Sequence, residues 1–367
     1  MTKNKNDKSL YAVVILLLGS VGGLAAIAYF LWLPNLIHEF YQAPPYILEM
    51  LKSAALYTYI PFVLWCFILG EATMNLSQVD KIWSLSPPTF CWYITWYDAK
   101  EHDMTFNYKL VYMSCLVSIW GARLTYQFYK KGGYSIRFWT GEEDYRWETV
   151  RRRLPILNNR FVFFLFDLGF ICVYQLLLLF TISAVVMVAT IMVDKAAELP
   201  RDSLTTIDLI KGSIMLLLIY LETVSDSHQQ VFQLEKYRRI REKIPLECST
   251  NHYESGFNTN GLFAYSRHPN FIAEQLIWVV FYLFSVTHFA DLKTCFNLGG
   301  PFNAASIGAV LLIVLFLKST DLTEDISAAK YPLYVKYQRN VARFFDVGAV
   351  FRKLFLGQNP NRDWLIK

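Results

Sequence analysis

The sequence is short of charge. Only 18% of its 367 residues are Asp, Glu, Lys or Arg, against 54% hydrophobic and 17% aromatic. Soluble domains carry about a quarter charged residues, so an ordinary water-soluble fold is excluded. Paired cysteines are also missing. Cys66, Cys91, Cys115, Cys172, Cys248 and Cys295 are scattered, mostly inside apolar stretches, without any CxxC spacing. That pattern argues against both a disulfide framework and a zinc site. No tandem repeat, low-complexity tract or Pro/Gly/Ser linker separates soluble domains. The first apolar stretch has no small-residue cleavage site and ends in bulky Phe30, Leu31 and Trp32, so it is expected to be retained. A net charge of +5 is a poor basis for nucleic-acid binding, and no nucleic-acid partner is expected. No lipidation box or KDEL-type address is present.

What is present comes in blocks. Tyr11 to Leu33, Ala54 to Leu69, Leu110 to Tyr129, Phe161 to Val193, Ile207 to Leu221, Phe271 to Phe289 and Ala304 to Leu317 are nearly free of charge. Most are long enough to cross a hydrocarbon core of roughly 30 Å. Positive charge gathers in Lys130 to Arg160, Lys236 to Arg267 and Lys318 to Lys367, and around Lys3, Lys5 and Lys8. The positive-inside rule makes these segments cytoplasmic. The count closes if Ile82 to Tyr97, broken by Pro87 and Pro88, also enters the membrane. The expected fold is an all-α polytopic membrane helix bundle of about seven to eight spans, with both termini cytoplasmic. Its expected organisation is N-terminal spans over 1–74, a membrane domain over 75–345 and a cytoplasmic tail over 346–367. Phe161 to Val193 is expected to form one tilted or extended span. Trp83, Trp92, Trp96 and Trp278 suit interface anchors.

Three stretches place unusual polar residues at the cytoplasmic ends of spans. Trp120 to Thr125 contains Arg123 inside an apolar helix, followed by Lys131 and by the run Glu142 to Trp147. An intramembrane arginine is either functional or snorkels to the interface. Glu222 and Asp226 stand four residues apart, on one helical face, either solvated or forming the wall of a cleft. In Tyr265-Ser266-Arg267-His268-Pro269-Asn270, proline suits a first helical turn. Unpaired backbone N–H groups there, with Arg267 and His268, would make an anion site fit for a phosphate, beside Glu274. The plainer alternatives are Arg267 as a positive-inside anchor and His268 as a helix cap.

Together these stretches resemble the steroid 5-alpha-reductase-related superfamily, specifically its uncharacterised membrane branch of bacteria and fungi. The resemblance spans roughly residues 75 to 345. It rests on Asp80-Lys81-Ile82-Trp83-Ser84, Trp120 to Thr125, Glu142 to Trp147, Asp226 with Phe232, Tyr265 to Asn270, and Lys330-Tyr331-Pro332-Leu333-Tyr334 leading to Tyr337-Gln338. The Arg267-His268-Pro269 piece is also similar to one in sterol reductases and isoprenylcysteine methyltransferases.

The resemblance implies an NADPH-dependent reductase that sends a hydride to a carbon–carbon double bond of a lipid, a steroid, fatty chain or isoprenoid. It nominates Arg123, Lys131, Asp226, Arg267, His268, Asn270, Glu274, Tyr331 and Tyr337 for NADPH. Arg267 and Lys131 would read the 2′-phosphate. Glu324 and Tyr265 are candidates for proton delivery. The apolar blocks make the lipid bilayer a partner, and superfamily habit points to the endoplasmic reticulum. The pattern departs from the family at His228, where Gln is usual, and at Phe271, where Tyr is usual. Two alternatives stay open: an S-adenosylmethionine-dependent methyltransferase, and a non-catalytic lipid-binding protein of the same fold.

Overall fold

A computed structural model describes residues 43–135, 141–195, 200–246, 253–287 and 299–345, together with 353, 355 and 357. The first apolar block and nearly all of the tail from 346 onwards lie outside the described residues. Among the described residues every regular element is a helix. Three helices among the described residues are long and apolar enough to cross a membrane: α1 (Pro45–Thr73), α6 (Arg160–Val193) and α9 (Ser306–Lys330). Between and beyond them lie α2 (Gln78–Trp83), α3 (Ser86–Glu101), α4 (Tyr108–Lys130), α5 (Tyr145–Arg153), α7 (Thr206–Glu242), α8 (Pro269–Tyr282) and α10 (Tyr334–Asn340). The Phe161 to Val193 block is thus one continuous helix.

Local chemistry sets the boundaries. Pro87 and Pro88 open α3 rather than breaking a span, because the first turn of a helix has no use for their missing N–H groups. Asn107 caps α4 by accepting from the backbone N–H groups of Lys109 and Leu110. Asn159 caps α6 through those of Phe161 and Val162. Within α6, residues Asp167–Tyr174 are π-helical.

The chain divides into two compact units, Met1–Ile214 with Trp278–Ile313, and Met215–Ile277 with Val314–Lys367. In the first unit, α3 packs against α4 and α6, and α1 against α6. Of the most apolar stretch of α6, 67% is buried, against 22% for α1, so α6 is the internal helix. The lipid-type face of α1 carries exposed Leu56, Leu64, Trp65 and Ile68. Trp278 is 2% exposed and meets Trp120 edge-on at 4.8 Å. It is a core residue and not the interface anchor expected of it, whereas Trp92 and Trp96 are exposed. Gly121 is needed beside Trp120, since a Cβ there would lie 2.5 Å from the Ser84 carbonyl oxygen.

The first unit also explains two family-like motifs as architecture. Asp144 caps α5 and binds Arg146 at 2.8 Å. Glu143 pairs with Arg151 and accepts the Leu76 N–H at 2.9 Å. The Tyr134 hydroxyl donates to the Lys81 carbonyl at 2.7 Å. Burial pushes the Asp80 carboxyl above the usual range, opposed by Arg146. Asp144 is held below that range, its burial outweighed by the hydrogen bonds and charge of Arg146. The Asn75 amide, in the chain's only N-x-[ST] sequon, donates to the Gly141 carbonyl at 3.1 Å.

Candidate functional site

Seven of the nine residues nominated for a cofactor, and both proton-delivery candidates, belong to the second unit. Arg123, half-buried in α4, and Lys131, exposed just past its end, belong to the first.

The second unit is assembled around the turn that enters α8. Pro269 is the first residue of that helix, and the segment ahead of it runs alongside the chain that follows α10. The Arg267 N–H donates to the Ala342 carbonyl at 2.9 Å and the His268 N–H to the Arg343 carbonyl at 3.0 Å. These two N–H groups, expected to be open to an anion, are paired within the protein.

Their side chains converge on Glu324 of α9, which is 3% exposed. Arg267 grips it with Nε at 2.7 Å from Oε1 and Nη2 at 3.1 Å from Oε2. His268 Nε2 lies 2.9 Å from Oε1, and Gln338 Nε2 donates to Oε2 at 3.1 Å. Arg343 reaches Oε2 at 3.4 Å and Asp321 Oδ1 at 2.8 Å. The Nη1 of Arg267 also donates to the Gln338 carbonyl at 2.9 Å and to that of Val341. The anion at this helix start is therefore the protein's own carboxylate, and Arg267 ties α8 to α9 and to the segment after α10. Arg343 and Gln338 were not singled out from sequence as site residues. Gln338 stands in the Tyr337-Gln338 motif that carries the resemblance, whereas no motif includes Arg343.

A second cluster lies on facing stretches of α7 and α8. Glu222, Ser225 and Asp226 fall at helical spacing and are 5%, 0% and 7% exposed, while Glu274, one turn past Asn270, is 4% exposed. Asn270 Nδ2 donates to Asp226 Oδ1 at 3.2 Å. The expected cleft wall on α7 is thus buried rather than solvated. The Ser225 hydroxyl is fully buried without a hydrogen-bond partner among the described residues, which leaves a polar group for a ligand to satisfy.

Tyr331 and Tyr337 serve a third, aromatic cluster. Lys236, 5% exposed, donates to the Gly256 carbonyl at 2.9 Å. Its ammonium sits 6.0, 4.7 and 5.7 Å from the ring centres of Phe232, Tyr237 and Tyr331. Burial, and then Lys330, pull its amine down to about 8. Gly256 has φ +82, and a Cβ there would stand 2.1 Å from the Tyr331 ring, so only glycine fits. The Tyr337 hydroxyl donates to the Phe263 carbonyl at 2.5 Å. Tyr265 is half-buried on the turn before Arg267.

Both departures from the family pattern have structural counterparts. His228 packs over Gly261, where a Cβ would lie 2.5 Å from its Nδ1. Phe271 stacks on the His268 ring at 5.3 Å and meets Phe316 edge-on at 5.1 Å. It fills an apolar slot and offers no hydroxyl.

Against known proteins, residues 66–341 match the family model described as Protein of unknown function (DUF1295). An uncharacterized protein of Schizosaccharomyces pombe is 32% identical over 316 residues, covering 85% of this chain and 82% of that protein. No solved structure matches.

Proposed function

Because the chain belongs to the DUF1295 family over the region that holds these buried polar residues, we propose that it is a membrane-embedded, NADPH-dependent reductase of a carbon–carbon double bond in a lipid. Its finer placement in the steroid 5-alpha-reductase-related superfamily rests on the motif resemblance. The seven to eight spans and the cytoplasmic termini rest on the charge-free blocks and the positive-inside rule, and the endoplasmic reticulum on superfamily habit.

The observation that carries the reading is the buried contact of Asp226 with Asn270, beside Ser225 and Glu274. Ionisable and amide groups are costly among apolar helices and are kept there for ligands or pathways. A carboxylate suits ribose hydroxyls, and an amide suits a carboxamide. The bound dinucleotide would supply the hydride. Asp226 and Asn270 would orient its sugar and amide groups, and the surrounding apolar residues would exclude water. The phosphates would compete with Glu324 for Arg267 and Arg343, which are otherwise internally paired. Proton delivery is the role proposed for Tyr265, whose hydroxyl can donate without breaking the Glu324 network.

The test is binding to the purified full chain in mild detergent, comparing NADPH, NADH and S-adenosylmethionine. NADPH should bind at least about fivefold more tightly than NADH, the equivalent of ~1 kcal/mol from one charge-assisted contact. Equal affinities, or tighter binding of S-adenosylmethionine, would reject the reductase in favour of the methyltransferase. No binding of any of the three would favour a lipid-binding role.

A further inference from the structure

The first unit contains a polar cluster that the reductase reading does not use, where two candidate spanning helices meet. Glu71 stands near the end of α1 and Arg160 is the first residue of α6, so both mark one edge of the membrane. Their side chains form an ion pair, with Arg160 57% and Glu71 17% exposed. Asp167 lies seven residues into α6, about 10 Å along the helix, and is 1% exposed. It opens the π-helical stretch Asp167–Tyr174, a distortion that recurs at functional sites.

Asp167 approaches α1 where that helix has a glycine. A Cβ on Gly70 would stand 2.9 Å from Asp167 Oδ2. This brings the Asp167 carboxyl within hydrogen-bonding reach of Glu71. Asp167 Oδ1 accepts from the Cys172 thiol at 3.7 Å. Asp167 Oδ2 and Glu71 Oε1 are both sealed from solvent and have no donor among the described residues. Two carboxylate oxygens cannot satisfy one another, because both only accept.

Charge counting leads to the same point. The ionisable groups around Asp167 are Glu71, Arg160, Cys172 and Cys66, with Asp80 beyond Cys66. Asp80 has Arg146 opposite it. Arg160 acts on both carboxylates and can compensate only one of them. A second buried anion against the first would be strongly unfavourable. Among the described residues no group of three His, Cys, Asp or Glu side chains could hold a metal ion. A proton supplies the missing donor and the missing charge together.

We infer that Asp167 and Glu71 form a proton-binding pair at the membrane edge of the first unit, Asp167 carrying the proton and sharing it with Glu71. Arg160 links the pair to the aqueous edge, and the thiols of Cys172 and Cys66 close its membrane side. The site rests on the first unit alone and stands whether or not the chain reduces a lipid.

Infrared difference spectroscopy of the full chain in lipid nanodiscs, titrated from pH 5 to pH 9, tests it through the carbonyl stretch of a protonated carboxyl group. The wild type should show such a band at neutral pH. Asp167→Asn, which mimics the neutral acid in shape, should remove it while the protein remains folded. Glu71→Gln should keep a band whose midpoint moves by at least one pH unit, and this variant serves as the reading should Asp167→Asn fail to fold. An unchanged band in either variant would assign the proton elsewhere. Absence of a protonated carboxyl in the wild type at neutral pH would also overturn the inference.

Discussion

The motif carboxylates of the two units are buried differently. In the first, Asp144 binds Arg146 and Glu143 binds Arg151, at positions still partly open to solvent. In the second, a single carboxylate, Glu324, takes donors from Arg267, His268, Gln338 and Arg343 and is almost wholly buried. Paired surface charges can be lost one pair at a time, whereas a buried hub leaves several donors unpaired at once. The fold should therefore be more brittle at Glu324 than at Asp144 or Glu143.

The largest expected effect follows directly. Glu324→Ala should destabilise the protein by roughly 3–5 kcal/mol, because Arg267 and His268 become buried without their anion. Loss of a monodisperse folded peak and a lower Tm in detergent would register it. Combining Arg267→Met with Glu324→Met should recover much of that loss, since an uncompensated charge costs more than an apolar pair. A double variant as damaged as the sum of the two single ones would deny the hub.

The resemblance nominates Arg267 as a reader of the 2′-phosphate. Its four contacts in the structure make fold stability its first duty. Arg267→Ala should accordingly lower Tm even without nucleotide.

Lys236 gives a pH test within the same unit. Its amine falls from 10.5 to about 8 in the folded protein. Between about pH 8 and 10.5 the unfolded chain binds the proton that the folded chain has lost, so stability rises with pH across that window. The gain should be about 1–3 kcal/mol, the flanking rings holding it below the full linkage value by favouring the cation. Thermal unfolding of the wild type against Lys236→Met should show the rise in the former alone.

Asp226 separates binding from folding. Asp226→Ala should reduce NADPH affinity about tenfold, the loss of one good contact, while costing roughly 1 kcal/mol in stability. The smallest change is expected in the first unit. Arg151→Ala should cost about 0.2–1 kcal/mol, because the pair it breaks is partly solvated. A loss as large as that of Glu324→Ala would erase the contrast between the units.

Some features were legible because they depend on local order in the chain. Charge-free runs pointed to α1, α6 and α9, although those behind α1 (Ala54 to Leu69) and α9 (Ala304 to Leu317) are shorter than the helices able to cross a membrane. The His268-Pro269 pair fixed the start of α8. The spacing of Glu222 and Asp226 placed them on one helical face, but burial depends on what packs against that face, and only the fold brings Asn270 to Asp226. Trp278 lies in an apolar stretch suited to an interface anchor, and its place in the core follows from contact with Trp120, more than 150 positions away in the chain.

By itself the sequence determined an apolar, helical, membrane-type chain and the stretches where its polar residues gather, since hydropathy, helix-start chemistry and side-chain spacing act over a few neighbouring residues. The tertiary structure decided which of those polar residues face each other. Glu324 became the partner of Arg267 across 57 positions, and Asp167 came to rest over Gly70 and against Glu71. Charge pairing in a low-dielectric interior depends on distance in space, and no pattern along the chain records that distance.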